Sequence, residues 1–404
     1  MRAAASYPGN GGQRQLTMSG AHIITIPLGA FIIISHLAIV DAALRQQLMV
    51  LISAYFCGMA AIFLARLPLT RVSVLLGTVL VICALVFLHN RANPPLSEYA
   101  DTKRLYFYFI FLTCYAAIPI TIAAFDSKME QVPKVLMFVT FLFSILAFTA
   151  TTGNNLRRSG IDLNPLLHAK LLFFPALYLL AQKRNALKRP LLLGLSVFGL
   201  LACFQTGSRG PLVVLLLLFM FDRLLTLEFA RAFKAVLSLA ALAFLLIFLI
   251  GQLPEHLADR YTVESLFTQG EEGDRLFLFA FAFDLIQQYP AGIGMGNMSG
   301  FYWINAPHNL FIEAVLDLGF IFALPYTALL AYTAWHAAWF MKSSDVTKRF
   351  IGAWYLFFFM NSMMGGEMSF PSLPFYIPMG LIILATRSRW RPQTAKFRQG
   401  RVRT

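Results

Sequence analysis

The chain has 404 residues, 58% of them hydrophobic and 13% charged, with a formal net charge of +14. A soluble domain keeps about a quarter of its residues charged, so this composition excludes an ordinary water-soluble fold. The excess of cations does not indicate nucleic acid, because seven Lys and Arg crowd the last 18 positions and most others fall in short connections, where they act as a topology signal.

Residues 1–20 are rich in Gly, Ser and Gln and lack the h-region and cleavage site of a signal peptide, so they read as a disordered cytoplasmic leader. Apolar runs of about 17–20 residues follow, the length a helix needs to cross a bilayer core of about 30 Å. The ten-residue alternation of a membrane barrel is absent. The runs predict an all-α polytopic membrane protein over 21–387, with about 12 transmembrane helices. The spans fall near 21–40, 48–65, 72–88, 105–124, 135–152, 166–182, 190–206, 211–226, 235–251, 308–340, 350–366 and 373–387. Residues 388–404 form a basic cytoplasmic tail suited to anionic lipid head groups. All four cysteines (Cys57, Cys83, Cys114, Cys203) lie inside apolar runs and read as small core residues.

With the N-terminus inside, 23 of the 33 Lys and Arg face the cytoplasm, which fixes the orientation. The ten outside are Arg45, Arg91, Lys103, Arg104, Arg157, Arg158, Lys170, Arg209, Arg260 and Arg275. These violators of the rule are where function is to be sought. One outer connection, 252–307 between spans 9 and 10, is too long for a turn and predicts a folded cap with short helices.

Arg209 stands in "TGSRG" (206–210), at the outer turn between two spans. A lone interfacial arginine ordinarily snorkels. Here Gly207 and Gly210 permit a tight bend and Pro211 starts the next helix, so backbone N–H groups and a guanidinium stand together, as a phosphate site requires. Arg275 follows Gly273 and Asp274 at a predicted helix start, where an exposed charge paired to Glu271, Glu272 or Asp274 is the alternative. His308 opens the tenth span after Pro307 and is followed by Asn309. A helix N-terminus disfavours a cation, so the imidazole stays neutral and able to accept a proton; a space-filling interfacial histidine is the alternative. Glu313 and Asp317 share one helical face a turn apart within that span, and such acids are costly unless paired. One of them could pair with an arginine elsewhere.

The connection 151–170 gathers Arg157, Arg158, His168 and Lys170 with several Asn and Gly residues and suggests a polar outer mouth. "GIGMGN" (292–297) is not a dinucleotide motif, since no strand–turn–helix unit surrounds it. No HxxxH, HExxH, DxD or Cys/His cluster and no Walker A motif appears, so no metal or cofactor is expected.

Taken in order, "TGSRG" at 206–210, "GDRLFLFAFAFDLIQQYPAGIGMGN" at 273–297 and "APHNLFIEAVLDLG" at 306–319 resemble the pattern of the O-antigen ligase and polymerase superfamily. The hydropathy profile over most of the chain is similar too. The resemblance implies metal-independent glycosyl transfer at the periplasmic face of the bacterial inner membrane. The donor would be O-antigen on undecaprenyl pyrophosphate, and the acceptor a sugar hydroxyl of lipid A–core. By motif, Arg209 and Arg275 would bind and stabilise the pyrophosphate, and His308 would be the general base. Arg157, Arg158, Lys170, Arg260 and Asn309 are further candidates for contact with donor or glycan. The length resembles a ligase; a polymerase shares the same residues, and the lack of an extended C-terminal periplasmic domain argues against a protein oligosaccharyltransferase. A transporter is the reading from another class, but transporters bind near mid-membrane, whereas these cations cluster at the outer face.

Overall fold

An apolar chain has no water to satisfy its backbone in a membrane, and the helix, which pairs its interior N–H and C=O groups within one segment, is the form its runs take. The computed structural model describes residues 24–34, 42–64, 67, 69–124, 131–150, 169–182, 189–206, 208, 210–225, 271–302, 306–365, 368 and 373–386. All the regular elements among them are helical.

The bundle begins with Ile24–Ile34 (α1), followed by Ala42–Leu64 (α2) and Leu69–Ala92 (α3). Next comes one long rod made of Glu98–Ile110 (α4), a π-helical stretch Phe111–Ala117, and Ile118–Ala124 (α5). Gln131–Ala150 (α6), Phe174–Gln182 (α7), Pro190–Thr206 (α8) and Gly210–Leu224 (α9) continue the chain. Glu271–Gln288 (α10) and the single turn Met298–Phe301 (α11) lie in the long connection. Leu310–Lys342 (α12), Val346–Gly365 (α13) and Leu373–Thr386 (α14) complete the described chain. Among the described residues, four stretches are long and apolar enough to cross a membrane: Gln46–Leu64, Val72–Ala92, Glu98–Ala124 and Leu310–Lys342. The leader 1–20, the expected span at 235–251 and the tail 388–404 lie outside the described residues.

The sequence puts Lys103 and Arg104 in an outer turn. In the structure α3 runs on to Ala92 and α4 starts at Glu98, so both cations sit on a helix and are buried. The cause is local: Ser97 accepts from the Ala100 N–H at 3.1 Å, and Glu98 and Asp101 place negative charge in the first turn. The break in regularity comes at the π-helix instead. Phe107, Phe111 and Tyr115 stack there, with ring centroids 5.4 and 4.8 Å apart. Gly380 of α14 faces the Tyr115 carbonyl so closely that a Cβ would overlap it, a contact between helices that only a small residue permits.

Helix α12 packs along α13, which also contacts α7, α9 and α14. Near the start of α13, buried Arg349 donates to Asp222 of α9 at 3.2 Å and to the Leu180 carbonyl of α7 at 2.9 Å. Toward the Lys342 end of α12, Trp335 and Trp339 are exposed, and the Lys342 ammonium lies 5.2 Å from the Trp339 ring, an interfacial anchor.

Two buried tyrosines join α12 to α14. The Tyr326 and Tyr376 hydroxyls are 2.9 Å apart, and Tyr376 donates to the Met368 carbonyl at 2.6 Å. Tyr376→Phe deprives both of these groups of their bond and is expected to cost about 1–3 kcal/mol, whereas Tyr326→Phe leaves the Met368 bond in place and costs about 1 kcal/mol. Thermal unfolding of the detergent-solubilised variants checks that order.

Candidate active site

The described part of the long connection is folded. Helix α10 and the segment after it bury Leu278, Ala282, Leu285, Ile286, Ile293 and Met298 against Leu316 of α12. Beyond α10 the chain passes through "GIGMGN", in which Gly292, Gly294 and Gly296 have φ of 90°, 89° and 79°. Only glycine adopts such angles readily.

This glycine segment meets α12 where α12 is broken. Gly319 has φ 69° and ψ 169°, so the helix divides into an outer part, 310–318, and a longer inner part. A break inside an apolar bundle strands backbone groups that must find partners. The glycine segment supplies them: Ile293 N–H donates to the Leu316 carbonyl and Gly294 N–H to the Asp317 carbonyl, both at 2.9 Å, while Phe320 N–H donates to the Pro290 carbonyl at 3.3 Å. His89 of α3 adds a bond from Nε2 to the Asp317 carbonyl at 2.9 Å. The two backbones touch, since a Cβ on Gly292 would run into Gly319 and one on Gly319 into Ala291.

On its other side the segment is tied to α3 and α4. Asn90 accepts from Met295 N–H at 3.1 Å, and Arg104 donates to the Met295 carbonyl at 3.1 Å and the Asn90 carbonyl at 3.3 Å. Asn297 accepts from Leu96 N–H and donates to the Pro94 and Ile293 carbonyls. "GIGMGN" is thus a wedge joining three helices.

Beside the wedge lies the ion cluster. Lys103 Nζ is 2.6 Å from Glu313 Oε1 and 3.4 Å from Asp317 Oδ2. Exposure is 3% for Lys103, 0% for Glu313 and 1% for Asp317. The two acids thus share a lysine, Lys103, as ion-pair partner. Glu313 Oε2 also accepts from Met368 N–H at 3.0 Å, and Asp317 Oδ2 from Gly296 N–H at 3.3 Å. Arg104, likewise buried, adds its charge near Asp317, so two cations accompany two carboxylates and their formal charges cancel.

At the tip of the outer part stands His308. It precedes the helix rather than opening it: Asn309 is the N-cap, accepting from Phe311 N–H at 3.1 Å and Ile312 N–H at 3.2 Å and donating to the Met363 carbonyl of α13 at 2.9 Å. Among the described residues His308 is the non-glycine residue with positive φ, 57°, a conformation costing about 1–2 kcal/mol that the capped helix behind it and Pro307 before it hold in place. Its ring is half-buried. Asn309→Ala removes the cap and the tie to α13, at an expected cost of about 1–2 kcal/mol. Hydrogen exchange should show the Phe311 and Ile312 amides losing protection.

The other candidates are placed unevenly. Arg275 belongs to the first turn of α10, though its side chain lies outside the described residues, as do Arg209, Arg157, Arg158 and Arg260 altogether. Between α8 and α9, Ser208 accepts from the Cys203 thiol at 3.6 Å. Next to these helices an apolar cleft of about 170 Å³ is lined by Phe173, Ala176, Val197, Leu200, Leu212 and Leu215. Lys170 is buried between Ala169 and Leu171, not displayed at an open mouth. Sequence reasoning missed Lys103, Arg104, His89 and Asn90 as a group; the signal was two buried acids and glycines at every second position of the wedge.

Comparison with curated proteins found no match. Residues 194–327 match the family model described as O-antigen ligase, a stretch that contains Arg209, Arg275 and His308 together with the glycine wedge and the broken helix. That stretch, well under half of the chain, is thus similar to the O-antigen ligase family, in line with the resemblance of the three motifs to the O-antigen ligase and polymerase superfamily.

Proposed function

We propose that this protein is an O-antigen ligase. It transfers polysaccharide from undecaprenyl pyrophosphate to a sugar hydroxyl of lipid A–core at the periplasmic face of the inner membrane, with both termini in the cytoplasm. The observation that carries the reading is the placement of His308: a half-buried imidazole held at positive φ on the tip of a capped half-helix, inside the segment that matches the ligase family.

The chemistry follows from elementary steps. The acceptor oxygen attacks the anomeric carbon as its proton passes to the imidazole of His308. The bond from that carbon to the pyrophosphate oxygen breaks, and the pyrophosphate leaves with the electron pair. Arg209 and Arg275 neutralise the charge it carries away. A single displacement inverts the anomeric centre. The base and the cations work by position and electrostatics, because pyrophosphate is already a good leaving group. Arg157, Arg158 and Arg260 are further contacts for the anionic donor.

The test is transfer in vitro, with purified protein, lipid-pyrophosphate-linked polysaccharide and lipid A–core, without added metal. Glycan on lipid A–core with inverted configuration is the expected product. Donor chains that lengthen on their own lipid would make the protein a polymerase. Ion-gradient-driven uptake by proteoliposomes, with no transfer of either kind, would make it a transporter.

A further inference from the structure

A helix broken at glycine is a hinge unless something prevents it from bending. The outer part of α12, residues 310–318, is nine residues long, or about 13 Å at 1.5 Å per residue. A tilt of about 5° about Gly319 would move its far end, where His308 sits, by about 1 Å, and a misplacement of that size can lower a reaction rate about 100-fold.

Two ties hold this part to the α13 side, from Asn309 to the Met363 carbonyl and from Met368 N–H to Glu313. On another side the glycine segment and α10 hold Leu316 and Asp317, close to the pivot, so a further tie nearer the far end is what stops rotation about that contact. Lys103 of α4 provides it, bridging Glu313 and Asp317 a turn apart on the same face. An ion cluster of this kind is a poor source of stability, since apolar residues of the same volume commonly do as well or better in a buried site. Its presence where a leucine would pack calls for a role in geometry.

We infer that Lys103 is a positioning residue for the transfer step: through Glu313 and Asp317 it locks the outer half of α12 and so sets where the His308 imidazole meets the acceptor hydroxyl. This rests on the proposed glycosyl transfer with His308 as base. It assigns Lys103 no contact with either substrate.

The test compares two acceptors. A sugar hydroxyl must lose a proton; azide has none to lose. Azide attacks the anomeric carbon, the bond to pyrophosphate breaks, and glycosyl azide and lipid pyrophosphate form without a base. The variant is the double substitution Lys103→Met/Glu313→Gln, which removes one charge of each sign and leaves Asp317 with Arg104. It leaves an acceptor for Met368 N–H and another for Gly296 N–H. Relative to wild type, the ratio of sugar transfer to azide transfer is expected to fall about 100-fold, through kcat more than through KM for the lipid donor, as in His308→Ala. Equal loss with both acceptors, or no loss with either, overturns the inference. Should the double variant fail to fold, Lys103→Arg keeps the charge while changing its reach, and the same selective fall in the ratio is required of it. Wild-type protein that transfers to neither acceptor would instead remove the ligase reading, a result distinct from any behaviour of the Lys103 variants.

Discussion

Replacing His308 by alanine is expected to lower glycan transfer to lipid A–core by about 100-fold or more while leaving the protein folded. The magnitude is that of a general base removed from a reaction whose leaving group needs no acid. Stability should change little, because the ring is only half-buried and the helix behind it is capped by Asn309, not by His308. Its backbone, at φ 57°, is a complication, since alanine tolerates the left-handed region less readily than histidine. His308→Asn removes that complication, because asparagine accepts the conformation easily yet cannot act as a base. Both variants should therefore lose transfer to the same degree, and azide transfer should survive in each. A His308→Asn variant that retains transfer would show that the residue matters for the bend of the chain and not for proton removal.

The separation of roles around this histidine explains which parts of the protein could be read in advance. The helical, membrane-embedded class follows from composition alone, and the order of Arg209, Arg275 and His308 could be recognised along the chain. Helix length and charge placement are local properties, so they survive in the sequence. The wedge does not. Read as no dinucleotide motif, "GIGMGN" is left without a role. That role depends on Gly319, some twenty residues further on, and on Asn90 and Arg104 from a different hairpin. Lys103 and Arg104 were misplaced for a related reason. A hydropathy window ends a span at the first cations it meets, whereas Ser97 starts α4 six residues before Lys103 and carries both charges into the bundle. Acids and bases that neutralise one another across 210 residues of sequence are invisible to any window.

Glycines that look alike in the sequence should respond in opposite ways. Gly319→Ala is expected to destabilise the protein by about 3 kcal/mol or more: about 1–3 kcal/mol for an alanine in a region essentially reserved for glycine and about 1–3 kcal/mol for overlap with packed neighbours. The angles are φ 69° and ψ 169°, and the added Cβ would collide with the backbone of Ala291. Gly58→Ala in the middle of α2 makes the same chemical change where nothing lies within 4 Å of the new methyl. It should stabilise the helix by about 0.5–1 kcal/mol, the usual difference between the two residues in a helix interior. Thermal unfolding in detergent reads both signs in one experiment. If Gly319→Ala is instead as stable as wild type, the glycine wedge does not hold α12 at its break. The outer half of the helix then has no fixed pivot. The argument that ties Lys103 to the position of His308 would lose its geometric basis, even if His308 itself remained essential.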